Sequence, residues 1–211
     1  MFIQTEVTPN VDSLKFKPGV QVMQDSGTLE FRNGREAAAS PLAKRLFLID
    51  GVQSVLFGPD FVTVSKDPEY NWAHLKPDIF SSIMDHFASG QPIYTGETLP
   101  SDTAVLPEDS ETVAMIKELI DTRIRPTIQE DGGDIVYKGF ENGVVKVMLK
   151  GSCRTCDSSV ITLKNGIENM LQHYVPEVEA VEHILDEAED ISMKEFKKLE
   201  ESLAQHTIGQ Q

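Results

Sequence analysis

The sequence predicts an α+β protein made of two small α/β domains joined by an acidic linker, the second domain running α-β-β-α-β-α. Three observations predict it. Residues 96–111 carry Pro100, Pro107 and five acids without a Lys or Arg, a composition that reads as a flexible linker. Segments with complete helical or strand periodicity lie on each side of that stretch. Gly58-Pro59-Asp60 and Asn142-Gly143 each separate two strand-like runs, which is the mark of a hairpin. The expected division is a first domain over 1–95, the linker over 96–111, a second domain over 112–186 and an acidic helix or tail over 187–211.

In the first domain, Phe2 to Val7 alternates as a strand, and Ser40-Pro41 is an N-cap followed by proline at the first helical position. Leu42, Leu46 and Ile49 continue that helix to Gly51. Val52 to Phe57 and Phe61 to Ser65 form the hairpin around Gly58-Pro59-Asp60. A second amphipathic helix follows from Leu75, Ile79, Ile83 and Phe87, with Pro77 in its first turn and Gly90 just past its end. His74 and His86 are expected to be surface or packing residues, since neither has a partner at metal-ligand spacing.

In the second domain, Val113, Ile116, Ile120 and Ile124 mark a helix that Arg125-Pro126 should close, because the residue before proline is turned away from helical angles. Ile135 to Phe140 and Val144 to Lys150 make a hairpin on Asn142-Gly143. Val160, Leu163, Ile167, Met170, Leu171 and Tyr174 form the apolar stripe of the next helix. Val178 to Leu185 reads as a third strand, and Ile191 to Leu203 as a terminal helix. Asp131-Gly132-Gly133-Asp134 reads as a turn whose glycines take unusual backbone angles, with a buttress for the following cysteine loop as its alternative role. Asp186, Glu187, Glu189 and Asp190 read as a solvated helix start.

The chain has 211 residues and a formal net charge of −15, which argues against nucleic acid or an anionic membrane as a partner. No apolar run approaches the ~20 residues of a membrane span. The first residues, Met1 to Glu6, show no signal or Arg-rich transit pattern. No nucleophile–base pair, phosphate loop or paired-carboxylate motif is identifiable, so the expectation is a carrier and not an enzyme.

Cys153 and Cys156 are the only cysteines, in a small polar loop between a strand and a helix. Two packed, inert thiols are one reading. A thioredoxin-type dithiol is another, although the motif follows an antiparallel hairpin. Structural zinc needs four ligands, and the only later histidines of the domain, His173 and His183, lie at unsuitable spacings. An iron–sulfur cluster typically takes four thiolates. Two chains would supply four, which points to a 4Fe-4S cluster on a two-fold axis of a homodimer. Lys150, Arg154 and the following helix N-terminus would offset its negative charge. A bridge at such a loop would be labile, which suits a carrier.

Several stretches of this sequence resemble the Nfu iron–sulfur scaffold proteins of the mitochondrial two-domain type. In the second half these are residues Met115 to Pro126, Gln129-Glu130-Asp131-Gly132-Gly133-Asp134, Gly151-Ser152-Cys153 through Cys156, and Ile161 to Ile167. In the first half they are Met1 to Thr5, Thr8-Pro9-Asn10, Ser13 to Phe16, Ser40 to Ala43 and Gly58 to Phe61. The resemblance implies a NifU C-terminal-like second domain with Cys153 and Cys156 as cluster ligands, preceded by an Nfu N-terminal domain without ligands. It also implies 4Fe-4S delivery in the mitochondrial matrix to apo recipients such as lipoyl synthase and respiratory-chain subunits, alongside other cluster-assembly factors. Asp157 departs from the family, where many relatives have proline after the second cysteine. The rival activity is a CxxC dithiol–disulfide oxidoreductase.

Overall fold

The computed structural model describes residues 2–23, 27–96, 101–154 and 157–185. The expected terminal helix over 191–203, the acidic run from Asp186 to Asp190, and Cys156 lie outside the described residues.

The first half is a five-stranded antiparallel sheet. Its strands are β1 (Gln4–Val7), β2 (Ser13–Lys17), β3 (Leu29–Phe31), β4 (Val52–Phe57) and β5 (Val62–Lys66), in spatial order β1-β2-β5-β4-β3. The strands β2 and β3 add to those expected from the sequence. Helix α1 (Pro41–Leu46) starts where Ser40 accepts the Ala43 N–H. Helix α2 (Trp72–Ser89) is capped by Asn71 and ends at Gly90, whose φ of +66° is open to glycine without strain. Because Asn71 caps the helix, Pro77 falls in its second turn and not its first, so one interior hydrogen bond is missing there.

Both faces of this sheet are covered. Leu14, Phe16, Val55, Phe57, Val62 and Val64 pack with Leu42, Leu46, Leu75, Ile79 and Ile83 of the helices as one apolar core. The alternate positions Ser13, Lys15, Ser54, Leu56, Thr63 and Ser65 point the other way. They are buried too, although most are polar, and the second domain lies against them. Lys15 Nζ donates to the Glu130 carbonyl at 3.2 Å, and Asn10 Nδ2 to the Ser152 carbonyl at 3.2 Å.

The second half opens with helix α3 (Glu111–Leu119), a π-helical turn over Ile120–Ile124 and helix α4 (Arg125–Glu130). The helix therefore runs on through Arg125-Pro126, contrary to the expected stop. The wide turn provides the reason: Arg125 N–H reaches back five residues to the Ile120 carbonyl. The altered bonding places Pro126 in the first turn of α4, where its missing N–H is not required. Ile116, Ile120, Ile124 and Ile128 form one buried stripe across all three pieces.

Strands β6 (Gly133–Glu141) and β7 (Val144–Gly151) pair antiparallel through Asn142-Gly143, both with positive φ, as a two-residue hairpin demands. Helix α5 (Asp157–Tyr174) then carries the chain to β8 (Ala180–His183), which pairs with β7 in parallel. The three-stranded sheet has the order β6-β7-β8. Leu163, Ile167, Met170 and Leu171 of α5 join its core with Val145, Val147, Leu149 and Val181. Tyr174, expected in that stripe, is exposed, with the Arg123 guanidinium over its ring.

Residues 101–110, within the acidic stretch, are tied to the second half. Asp102 pairs with Arg125 at 3.0 Å and accepts the Tyr137 N–H at 2.5 Å. Thr103 donates to Asp121, and Asp109 pairs with the buried Lys117 at 2.6 Å.

His74 is exposed, while His86 packs inside the first domain. Burial, with the Arg45 charge adding to it, holds the His86 imidazole below its ordinary value. The fold thus favours the neutral ring, and its stability contribution is full above the ordinary imidazole value of about 6.5 and is lost as pH falls below it. Thermal unfolding of the parent is expected to weaken between about pH 7.5 and 5.5. His86→Phe is expected to have a shallower pH dependence, and equal slopes would contradict this account.

Candidate functional site

The cysteine loop sits where β7 ends and α5 begins. Because β7 also pairs in parallel with β8, this is the strand-to-helix junction of a β-α-β crossover, at the carboxyl end of a parallel strand. The sequence shows only the hairpin side of this strand, since parallel pairing with a segment some thirty residues later has no local signal. The motif does follow an antiparallel hairpin, as expected, but the same strand has a second, parallel neighbour. The pairing of Val144–Val147 with Ala180–His183 puts the loop inside a β-α-β unit.

Cys153 is 3% exposed and packs at the edge of the second domain's apolar core. The Ser152 hydroxyl lies 3.7 Å from its Sγ and also donates to the Asp131 carbonyl at 2.5 Å. The loop is folded against the Asp131-Gly132-Gly133-Asp134 turn, with Ser152 N–H directed at the Gly132 carbonyl. Gly133 and Gly151 are paired across the hairpin's open end. A Cβ on Gly133 would lie 2.6 Å from Cys153 Sγ and 2.8 Å from the Lys150 carbonyl oxygen. At Gly151, φ is +65°, and a Cβ would lie 2.7 Å from Leu56 and 2.8 Å from the Gly132 oxygen. The glycine turn is thus the wall behind Cys153, which is its buttressing role and not merely a change of chain direction. Glycine is the residue that lets the two backbones close on the sulfur.

The two acids of the turn differ. Asp134 is buried against Arg125, both of its oxygens at 3.1 Å from the guanidinium, and accepts from Thr28 of the first domain. Burial raises the Asp134 carboxyl from its ordinary value, with Arg125 and Thr28 opposing. Asp131 is raised as well, by burial and then by its neighbour Glu130.

Of the two cations expected near the cysteines, Lys150 is the penultimate residue of β7, opposite Asp134. Arg154 is engaged by a residue from the other domain: its guanidinium donates to Glu30 at 2.9 Å. The other Glu30 oxygen accepts the Gly151 N–H at 2.8 Å. Burial pushes the Glu30 carboxyl up from its ordinary value, and Arg154 and the Gly151 N–H only partly counter this. No local pattern marks Glu30 in the sequence, because its role arises from docking between segments more than 120 residues apart.

His173 is exposed against Tyr174, and His183 lies on β8. Among the described residues no three Cys, His, Asp or Glu side chains gather as a metal site.

Glycine substitutions test the wall. Gly133→Ala and Gly151→Ala are each expected to destabilise the second domain by about 1–3 kcal/mol in denaturant titrations, through overpacking and, at Gly151, a disfavoured backbone angle. Gly166→Ala, on α5 with open space around it, is expected to stabilise by about 0.5–1 kcal/mol. Equal effects at all three positions would refute the close approach.

Comparison with known proteins adds to this geometry. Residues 3–90 match the family model for the scaffold protein Nfu/NifU N-terminal domain, and residues 116–182 match the NifU-like domain. An iron-sulfur cluster scaffold homolog, mitochondrial, of Drosophila virilis is 55% identical over 205 residues, covering 97% of this chain and 69% of that one. The corresponding protein of Drosophila erecta is 56% identical over 211 residues, covering 100% of this chain and 74% of that one. A solution structure of a NifU-like protein from Saccharomyces cerevisiae aligns with 46% of this chain and 87% of its own, at 31% identity and a TM-score of 0.43. With both halves matched in order and more than half of the residues identical to such relatives along nearly its whole length, this chain belongs to the Nfu/NifU scaffold family.

Proposed function

We propose that this protein is an iron–sulfur cluster scaffold and carrier whose cargo is a labile 4Fe-4S cluster held by Cys153 and Cys156 of two copies of the chain. The observation that carries the reading is the position of the only two cysteines. Cys153 follows β7 against a glycine wall, and Cys156 is the residue immediately before the first turn of α5. One chain offers two thiolates where such a cluster typically takes four, so symmetry between two chains completes the set. The relatives in Drosophila virilis and Drosophila erecta are named as mitochondrial iron-sulfur cluster scaffold homologs, which supports both the cargo and a mitochondrial setting. On this reading the compartment is the matrix, and the recipients are apo iron–sulfur proteins such as lipoyl synthase and respiratory-chain subunits.

The residues of the chain do simple work in this function. Thiolates bind iron, and the helix N-terminus beyond Cys156 together with Lys150 and Arg154 lowers the cost of gathering thiolate charge. The glycine wall fixes the loop from behind and leaves its outer side to the cargo. Two thiolates per chain hold the cluster less firmly than four from one chain, which favours release to a recipient that offers a complete ligand set.

The test is anaerobic reconstitution with iron and sulfide, with iron, sulfide, Mössbauer spectra and solution mass taken on one sample. One 4Fe-4S cluster per two chains is expected, lost in Cys153→Ser and in Cys156→Ser. A colourless monomer that catalyses disulfide exchange would replace this reading with the oxidoreductase one. Asp157→Pro is expected to change cluster half-life or transfer rate, because the parent has a carboxylate next to the second cysteine of an anionic cargo site. Identical decay and transfer in both proteins would remove that role.

A further inference from the structure

The first domain lies over the cysteine loop. Its sheet presents Lys15, Leu56 and Thr63 to the second domain, and Asn10 and Glu30 hold the loop itself. Asn10 Nδ2 bonds the Ser152 carbonyl, and Glu30 takes the Gly151 N–H and the Arg154 guanidinium. Residues 151, 152 and 154 are therefore all engaged from the other domain, and Cys153 between them is 3% exposed. The second domain's core and Gly133 back the thiol, and the first domain's contacts on its neighbours stand where a second chain would have to approach. We propose that the first domain is a cover for the cysteine loop, latched by Glu30, and that the cover must lift before the loop takes its cargo.

This inference rests on the cluster reading, and three observations make the cover a removable one. The facing surfaces are mostly polar, with Asn10, Lys15, Glu30 and Thr63 on one side and backbone groups, Arg154 and Asp134 on the other, as between domains that move. Each domain keeps its own apolar core, and Leu56, buried outside both cores, is an apolar side chain that meets the second domain, at Gly151. Glu30 is an anion on the N–H and the guanidinium that flank Cys153, and an anionic cluster would draw on the same groups. Latch and cargo then compete, and by linkage whatever opens the cover favours loading as much as loading favours opening.

The test uses the full-length apo chain, kept reduced, with iodoacetamide labelling of Cys153 followed by peptide mass spectrometry and the radius of gyration measured by X-ray scattering. Glu30→Lys reverses the latch charge. Thr63→Phe wedges the domains apart with no change of charge, at a position whose Oγ1 is 3.0 Å from where a Cβ on Gly132 would be. Both variants are expected to label roughly tenfold faster than the parent and to have a larger radius of gyration. Unchanged labelling in both variants overturns the proposal. So does faster labelling confined to Glu30→Lys at constant radius, which would be an effect of charge on the thiol alone. Because labelling is read without iron or sulfide, its failure is distinguishable from failure of the cluster stoichiometry.

Discussion

The close approach of two backbone segments at Gly133 and Gly151 is the constraint on which the site depends. With no side chain on either residue, β6 and β7 stay paired to the very end of the hairpin, and the chain leaving β7 turns back under its own strand. Cys153 is thereby pressed against the Gly133 backbone and held from behind. A larger residue at either position would push the strand end outward and shift the sulfur with it. The neighbouring Gly132, with φ of +77°, lets the opposing turn come close to Thr8 and Thr63 of the first domain. The same glycines that shape the thiol's wall also let the two domains meet.

Charge organises the far side of this turn. The Arg125 guanidinium meets Asp134, Asp102 and Asp121 within about 3 Å, joining the acidic segment, the helix and β6 at one point that runs from the buried Asp134 to the exposed Asp121. Asp134 reaches on to Thr28 of the first domain. A buried cation satisfied by several carboxylates contributes less net stability than its contact number suggests, because desolvation offsets attraction. Removing Arg125 would leave the buried Asp134 without its cation, whereas losing one carboxylate leaves the guanidinium two others. The arrangement therefore specifies geometry more than it adds stability: it fixes where β6 starts relative to the helix that precedes it.

Local chemistry made much of this legible. Ser40-Pro41, Gly90 and Asn142-Gly143 each act within a few residues, and each sits where its capping or turn chemistry places it. Stripes such as Ile116, Ile120, Ile124 and Ile128 carry their burial in their spacing. Failures came where distant contacts decide. Proline at 126 signals a helix stop, yet a π turn absorbs it. The strand from Ser13 to Lys17 alternates polar and apolar residues, yet Ser13 and Lys15 are buried like Leu14 and Phe16, because the second domain covers their face. The pairing of Asp102 with Arg125 and of Thr103 with Asp121 has no local sequence signal. At the site, the paired cysteines and flanking glycines were readable, while Glu30 and Asn10 were not, since each gains its meaning only from docking.

This division between local and distant information bears on how such a protein works. A carrier has to protect reactive thiols when empty and expose them when loading, and a single rigid fold cannot do both. Two domains with separate apolar cores and a polar contact between them supply two states at modest energetic difference. Polar contacts suit that contact because water replaces their hydrogen bonds on opening, whereas an apolar seam would resist it. Glu30 fits the same logic: its carboxylate meets the Gly151 N–H and the Arg154 guanidinium, and desolvation of this buried pair offsets much of its attraction. The residues that hold the loop from behind are glycines fixed by packing, and those that hold it from the front are side chains with solvent as an alternative partner. The loop is therefore rigid on the side where it must keep its shape and releasable on the side where cargo would enter.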